Sequence, residues 1–217
     1  MKNPCENCFL FHQIGEEEKK KLLACMDGRE TVWEKGQVLL GEEEPADHLG
    51  IVLEGSLQVV EEDIWGNRGI LEQVGEGELY GAAFACAGIQ KSPVSVVAAK
   101  KSRVLRIQME KLMQVCPNGC PAHQQMIRNL VYLLARKNVA LNEKIKHISR
   151  RTTREKLLAF LADQAKQAGK KDFSIPFDRQ ELADYLCVDR SAMSAELGKL
   201  KREGKIDFWK NEFRLLS

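Results

Sequence analysis

The C-terminal third of this chain contains its most informative stretch, residues 178–204, which read DRQELADYLCVDRSAMSAELGKLKREG. Asp178 and Asp189 each stand where a side chain can cap a following helix, and this predicts two short helices, 179–186 and 190–202. Apolar residues recur at helical spacing in both segments: Leu182, Ala183, Leu186, Met193, Leu197 and Leu200. Two such helices, joined by a three-residue turn and crossing at a small residue, predict a helix-turn-helix.

The second predicted helix carries short polar and basic side chains near its N-terminus. In a helix-turn-helix this end enters the major groove of DNA, so we predict base contacts from Arg190, Ser191 and Ser194. Flanking polar and basic residues are predicted to bind phosphates: Arg179, Gln180, Lys199, Lys201 and Arg202. The runs KIDFW and EFRLL, on either side of a turn at 210–211, predict the hairpin of a winged helix. The alternative is a helical hairpin inside another fold.

Charge is distributed unevenly along a chain whose net charge is +2. Residues 1–120 carry 13 basic and 19 acidic side chains, whereas residues 148–217 carry 15 basic and 11 acidic ones. An acidic front and a basic back indicate a polyanionic partner for the C-terminal region. The chain has no run of eighteen apolar residues and no secretory signal at its N-terminus, so we expect a cytoplasmic protein that contacts no membrane.

The region from residue 30 to about 107 is predicted to be β-rich. Ten of the sixteen glycines fall between Gly36 and Gly88 and separate short apolar runs, which is typical of a sandwich or small barrel. The tripeptide at 65–67 is a candidate hairpin tip. The charged and apolar stretch 16–26 predicts a preceding helix in which Cys25 is a buried thiol.

A long helix is predicted from about 122 to 148, where neither proline nor glycine occurs. Its apolar residues keep one stripe aligned: Ile127, Leu130, Leu134, Leu141, Ile145 and Ile148. One interpretation is a helix packed along its own domain. The interpretation we favour is a helix that pairs with its copy in a homodimer, because further apolar residues widen the stripe.

Four motifs together resemble the Crp–Fnr family of bacterial transcription regulators, and the resemblance covers nearly the whole chain. The segments 36–40 and 50–59 are similar to the family's barrel signature. Gly77–Gly81 is similar to the start of its phosphate-binding cassette, and Thr153–Leu158 is similar to the helix that opens its DNA-binding domain. The resemblance implies an α+β protein with an N-terminal cyclic-nucleotide-binding-like jelly roll (1–120), a dimerisation helix (121–148) and a winged helix-turn-helix (149–217). It also implies double-stranded DNA, RNA polymerase and an effector as partners.

The cassette departs from the nucleotide-binding members of the family at the residues that hold the nucleotide. Ala82 stands where they place a ribose-binding Glu, and Ser92-Pro93, with Lys91 beside it, stands where they place Arg-Ser. A lysine supplies charge but no bidentate fork, and a proline removes a backbone donor. We therefore predict an effector other than cyclic AMP, either a small molecule or a redox signal, at Gly81, Ala82, Lys91 and Ser92 and at Asn138 and Leu141 on the long helix.

The seven cysteines leave the nature of the sensor open. An odd count argues against a disulfide framework. The oxygen-sensing branch of the family holds a four-iron four-sulfur cluster, for which Cys5, Cys8, Cys25 and Cys86 are candidates here, although their spacing differs from that branch. Cys116 and Cys120, followed by His123, have metal-like spacing. Structural or redox-active thiols are the default, and His12, His48, His123 and His147 are axial candidates for haem without a supporting motif.

No catalytic motif is found in the sequence. It contains neither a nucleophile elbow nor a Walker loop. A metal-binding enzyme built on the same barrel would need several histidines on its strands, and His48 is the only histidine in the predicted barrel region. We therefore expect a regulator without enzymatic activity, assign it no metal-binding residues and leave the identity of a cofactor open. A nucleotide-regulated subunit that does not bind DNA is the remaining alternative, and the basic second helix argues against it.

Overall fold

Two antiparallel sheets form most of the N-terminal part of the protein in a computed structural model, which describes residues 8–62, 68–114 and 119–216. Their strands are β1 (Arg29–Trp33), β2 (Val38–Leu40), β3 (His48–Glu54), β4 (Leu57–Glu62), β5 (Arg68–Val74), β6 (Leu79–Tyr80), β7 (Ser95–Ala98) and β8 (Ser102–Gln108). One sheet has the order β1-β8-β3-β6 and the other β2-β7-β4-β5. The predicted hairpin tip at 65–67 lies outside the described residues.

The central strand β3 is covered on both faces, which explains its nearly continuous apolar run. Val52 packs into the core between the two sheets, whereas Leu49, Ile51 and Leu53 pack into a second core beneath the helices. Side chains alternate along β8 in the same way, with Val104 in the first core. The N-terminal part therefore has one core inside the sandwich and one outside it.

Three helices flank the sheets: α1 (Glu16–Cys25), α2 (Ala82–Cys86) and α3 (Met109–Met113). In α1 the buried face is made by Leu22 and by Met26 at its end. Cys25 is exposed, so the expected buried thiol is wrong. The reason is rotational: Met26 is four residues after Leu22 and shares its face, whereas Cys25 lies about 100° from Met26 around the helix.

The long helix α4 (Pro121–Ile148) changes character along its length. Met126 and Leu130 are buried in the second core, the one beneath the helices. The side-chain amide of Asn129 donates to the carbonyl oxygens of Leu10 and His12 at 2.9 and 2.8 Å. Farther along the helix, three apolar side chains are more than half exposed: Val139, Leu141 and Ile145. The chain divides into two compact units, residues 1–135 and 136–217, inside this helix.

The C-terminal unit adds three helices and a small sheet to the end of α4. The elements are α5 (Thr153–Ala168), β9 (Asp172–Ser174), α6 (Arg179–Tyr185), α7 (Arg190–Arg202), β10 (Ile206–Trp209) and β11 (Glu212–Leu215). The sheet order is β10-β11-β9, so the predicted hairpin is present and a third strand joins it. Phe173 of β9 pairs with Phe213 of β11, and both are buried.

Within residues 8–62, 68–114 and 119–216, no helix combines the length and the apolar character needed to cross a bilayer.

Candidate nucleic-acid interface and effector region

The two helices of the predicted helix-turn-helix begin at the two expected capping residues. The carboxylate of Asp178 accepts from the backbone N–H of Glu181 at 2.9 Å, and the carboxylate of Asp189 accepts from that of Ala192 at 2.8 Å. The hydroxyl of Ser191 also donates to Asp189, and these hydrogen bonds lower the pKa of the Asp189 carboxyl. Between the helices, Cys187 takes a positive φ of 51° and reverses the chain.

Burial of one face fixes which side of α7 is presented to the outside. Met193, Leu197 and Leu200 are at most 1% exposed and pack with α6, as the sequence predicts. Arg190, Ser191 and Ser194, with Ala195 beside them, are exposed on the N-terminal part of the helix. Among the described residues, neither Arg190 nor Ser194 has a side-chain hydrogen bond, so both side chains are available to a ligand.

Two of the predicted phosphate contacts are engaged in ion pairs within the protein. Lys199 pairs with Glu196 at 3.3 Å, and Lys201 pairs with Asp207 at 2.6 Å. Gln180 donates to Asp184 at 2.9 Å, and Arg202 is exposed. The Lys201–Asp207 pair is exposed, and such pairs are weak, so a phosphate can replace the carboxylate of Asp207 without a large cost. Lys199 is itself exposed, whereas its partner Glu196 is mostly buried.

Arg179 lies against the wing. Its guanidinium donates to the carbonyl oxygen of Lys210 at 2.8 Å and lies over the rings of Phe208 and Phe213, with 4.9 and 5.2 Å to their centroids. Burial lowers its pKa. The side chain thus joins the start of α6 to the hairpin, an arrangement that the sequence reasoning did not anticipate.

Arg154 has a role in positioning α7 that the sequence reasoning missed. It lies in the first turn of α5 and donates to Glu196 at 3.1 Å and to Glu203 at 2.9 Å. The hydrogen bonds to Glu203 and then Glu196 raise the pKa of Arg154. Both glutamates belong to α7 or its C-terminal cap, so this network fixes the orientation of the helix whose outer face is exposed.

In the N-terminal unit, the start of the predicted cassette is held by a close backbone approach. Gly81 takes a positive φ of 75° before α2, and a Cβ added to it would lie 2.6 Å from the carbonyl oxygen of His48. Glycine is the residue that this conformation and this distance require. Ala82, the next residue, is buried.

The two side chains at the predicted anion-binding end of the cassette have partners within the protein. Ser92 is fully buried, and its hydroxyl donates to the carbonyl oxygen of Val94 at 2.6 Å. Lys91 pairs with Glu43 at 2.9 Å on the surface. The other predicted effector residues lie in the C-terminal unit, where Leu141 is exposed and Asn138 accepts from Asn142 at 2.8 Å. That all of them form one site stays a prediction.

The cysteines and histidines show what the described residues offer a metal. Cys5 and Cys116 lie outside the described residues, so the clusters that include them stay untested. Cys8 is buried, Cys120 is half-buried, and the Cys86 thiol donates to Met109 sulfur at 3.8 Å. Of the residues that the structure describes, no three His, Cys, Asp or Glu lie together as a metal site.

Three of the four histidines contact polar groups of the protein. His123 is buried and donates to the carbonyl oxygen of Leu112 at 2.6 Å. His147 is buried between Asp163 at 3.0 Å and the hydroxyl of Tyr185 at 3.2 Å. His48 pairs with the adjacent Asp47, and His12 stacks on Phe9. His123 and His147 are thus held by hydrogen bonds within the protein, and none of these contacts supports axial haem ligation.

Comparison with known proteins agrees with both halves of the molecule. The family model of a cyclic nucleotide-binding domain matches residues 30–118, and that of a Crp-like helix-turn-helix domain matches residues 155–217. The chain is 26% identical over 222 residues to the transcriptional regulatory protein btr of Bordetella pertussis, which covers 98% of this chain and 89% of that protein.

Two solved structures show the same fold. The c-di-GMP responsive global regulator CLP of Xanthomonas campestris has a TM-score of 0.60 at 18% identity, over 92% of this chain and 98% of that one. CprK in complex with OCPA has a TM-score of 0.69 at 16% identity, over 91% of this chain and 92% of that one. At these identities the likeness concerns the fold alone.

Proposed function

The chain belongs to the Crp–Fnr family of transcriptional regulators, and we propose that it binds a palindromic operator as a homodimer under the control of an effector. The predicted family, the α+β fold and the regulatory function are confirmed by the family models and the relatives. The alternatives of redox, metal-cluster or haem sensing, and of a subunit that does not bind DNA, are not favoured. We further propose that the protein is not an enzyme and acts in the cytoplasm with RNA polymerase.

The observation that carries the proposal is the exposed N-terminal half of α7. The inner face of α7 is buried and its N-terminus is capped by Asp189. Arg154 of α5 holds α7 in place through its hydrogen bond to Glu196. Arg190 and Ser194 project from a helix that cannot rotate without losing this core. A rigid helix with unpaired polar side chains at its N-terminus is what direct reading of base edges requires.

The dimer assigns a role to each region. We propose residues 1–120 as the effector domain, 121–148 as the dimerisation helix and 149–217 as the DNA-binding domain. Val139, Leu141 and Ile145 are exposed on α4, and pairing with the same face of a second copy would bury them. Two copies supply the two reading helices that a palindrome with half-sites about one helical turn apart needs.

We place the effector at Gly81, Ala82, Lys91 and Ser92, and we keep Asn138 and Leu141 of the long helix as further predicted contacts. Cyclic AMP fits this region poorly, because the Ser92 hydroxyl is fully buried and donates to Val94, and because Lys91 supplies a charge without a bidentate fork. The effector must bind one state of the dimer better than the other if it is to change the affinity for DNA.

The experiment begins with selection of a preferred operator from random duplexes by the wild-type protein. Ser194→Ala is then compared with Lys199→Ala on the selected operator and on an unrelated duplex. Ser194→Ala should lower the affinity for the selected operator alone, by about 1–3 kcal/mol for a lost base contact. Lys199→Ala should weaken binding to both duplexes and reduce the salt slope by about one unit.

Two controls make the comparison interpretable. Ser191→Ala removes a base-contact candidate and also a hydrogen bond to the capping Asp189, so Ser194→Ala is the cleaner variant. Lys166→Ala removes a charge from the last turn of α5 and should leave both affinities unchanged. Selection of no sequence by the wild type, or equal loss on both duplexes in Ser194→Ala, would overturn the assignment of α7 as the reading helix.

A further inference from the structure

A row of residues crosses the first sheet where two buried polar atoms lack partners. Tyr80 of β6 pairs in register with Gly50 of β3, Gly50 pairs with Arg106 of β8, and Arg106 pairs with Arg29 of β1. Opposite residues of antiparallel strands share a face. Tyr80 and Val104 both belong to the core inside the sandwich, and Arg106 is two residues after Val104, so Tyr80 and Arg106 lie on the inner face of this sheet. Arg29, at the edge of the sheet, is exposed.

The Tyr80 hydroxyl is one of the two unpartnered atoms. The side chain is 5% exposed, and its hydroxyl has no hydrogen bond within the part of the chain that the structure describes. The ring lies over Gly50, where an added Cβ would be 2.6 Å from the hydroxyl oxygen. Burial raises the pKa of Tyr80 to about 12, so the phenol keeps its proton and is a donor at neutral pH.

The Nε atom of Arg106 is the second buried polar atom without a hydrogen-bond partner. It is buried and unpartnered, and among the described residues no carboxylate lies within ion-pair distance of this guanidinium. Its neighbours differ: Arg29 pairs with Asp27, and Arg103 on the opposite face of β8 pairs with Glu30 and Glu54. The side chain of Arg106 is half-buried, and its buried Nε and the buried phenol O–H of Tyr80 are two donors on the same face of the sheet that lack an acceptor. Leaving both donors unpaired is costly.

We propose that Tyr80 and Arg106 form an anion-binding site inside the sandwich, which receives the acidic group of the effector. The core residues that surround Tyr80 are apolar and include Val52, Val96 and Val104. The ligand class is therefore a small organic anion with an apolar body, such as a carboxylic acid. This inference rests on the proposed effector control and places the anionic end of the ligand on the sheet, on β6 and β8, instead of at Lys91 and Ser92.

The test uses two carboxylates, benzoate and hexanoate, with the neutral amides benzamide and hexanamide as matched probes. Thermal unfolding of the full chain is measured with each compound for the wild type, Tyr80→Phe, Arg106→Met and the control Arg103→Met. A carboxylate at about ten times its dissociation constant should raise the wild-type Tm by about 4 °C, and its amide should not. The shift should fall in Tyr80→Phe, vanish in Arg106→Met and persist in Arg103→Met, which removes the same charge from the outer face.

Stability without ligand gives a second, independent readout. If the two polar atoms are unpaired, Tyr80→Phe and Arg106→Met should unfold at or above the wild-type Tm, because each removes an uncompensated buried group. Lower Tm values for both variants would mean that the two side chains bond to each other or to water, and would overturn the site. So would equal shifts from carboxylates and amides, or an undiminished shift in Arg106→Met. These results leave operator selection by α7 untouched, so failure of this site is distinct from failure of the proposed function.

Discussion

Replacement of Gly81 by alanine separates two reasons for a glycine in the cassette. Gly81 and Gly88 both take a positive φ, 75° and 70°. An alanine in this conformation costs about 1–2 kcal/mol, partly offset by about 0.4–1 kcal/mol from the reduced entropy of the unfolded chain. At Gly88 an added Cβ meets no described atom within 4 Å, so Gly88→Ala should destabilise by roughly 0.5–1 kcal/mol.

Gly81→Ala should cost more, because its Cβ would lie 2.6 Å from the carbonyl oxygen of His48. His48 is a residue of β3 paired with Gln108, so its backbone cannot yield easily. An overpacked contact adds about 1–3 kcal/mol, which gives about 1.5–4 kcal/mol in total. Urea unfolding followed by circular dichroism measures both variants, with the midpoint compared at constant m. Equal losses for the two variants would refute the close approach of Gly81 to β3.

Three further predictions concern the dimer, the C-terminal unit and the effector. Leu141→Lys combined with Ile145→Lys should convert a dimer to a monomer in sedimentation, and a monomeric wild type at micromolar concentration would contradict the role of α4. Hydrogen bonds from Lys146 and then from His147 lower the pKa of Asp163, so its contribution to stability is present above the ordinary value of 3.8 and is lost as pH falls through the lowered pKa. Asp163→Asn should therefore flatten the loss of urea midpoint below about pH 4, and an unchanged slope there would argue against this ion pair. Calorimetry with cyclic AMP should show no binding, because Ser92 is buried, and micromolar affinity would disprove that reasoning.

The helix-turn-helix was predictable almost to the residue because its signals are local. A carboxylate that caps the next turn, as Asp178 and Asp189 do, acts within three residues and needs no tertiary information. The apolar spacing fixed the buried face of α7 in the same way. The strand β9 was missed because Phe173 becomes a strand residue only through its pairing with Phe213, forty residues later.

The long helix shows where periodicity stops being informative. Leu130 and Leu141 belong to one stripe by spacing, yet Leu130 is 2% exposed and Leu141 is 51% exposed. Helical spacing predicts which residues share a face of α4. It does not predict whether that face packs against the same chain or against another molecule. For the first half of α4 the interpretation of a helix packed on its own domain is correct. For the second half, pairing with a copy remains our prediction.

The candidate effector region was the least predictable part. The sequence showed which cassette residues are missing, such as an arginine near Ser92, but not which residues replace them. Arg106 and Tyr80 are 26 residues apart and meet through two strand registers, one of which contains an irregularity between Val52 and Glu54. Such an irregularity changes which side chains face inward, and no single-residue pattern reports it.

The contact between Gly50 and Tyr80 also restricts the order in which this sheet can change during evolution. A Cβ at position 50 would lie 1.9 Å from the Tyr80 ring, so a larger residue at position 50 is tolerated only after the ring has been lost. The effects on stability of enlarging Gly50 and of removing the Tyr80 ring are therefore strongly non-additive. Enlarging Gly50 first gives a poorly folded intermediate, whereas removing the ring first does not. Relatives that retain an aromatic ring at this position should have glycine opposite it, and a lineage that loses the ring can fill the space and close the anion site permanently.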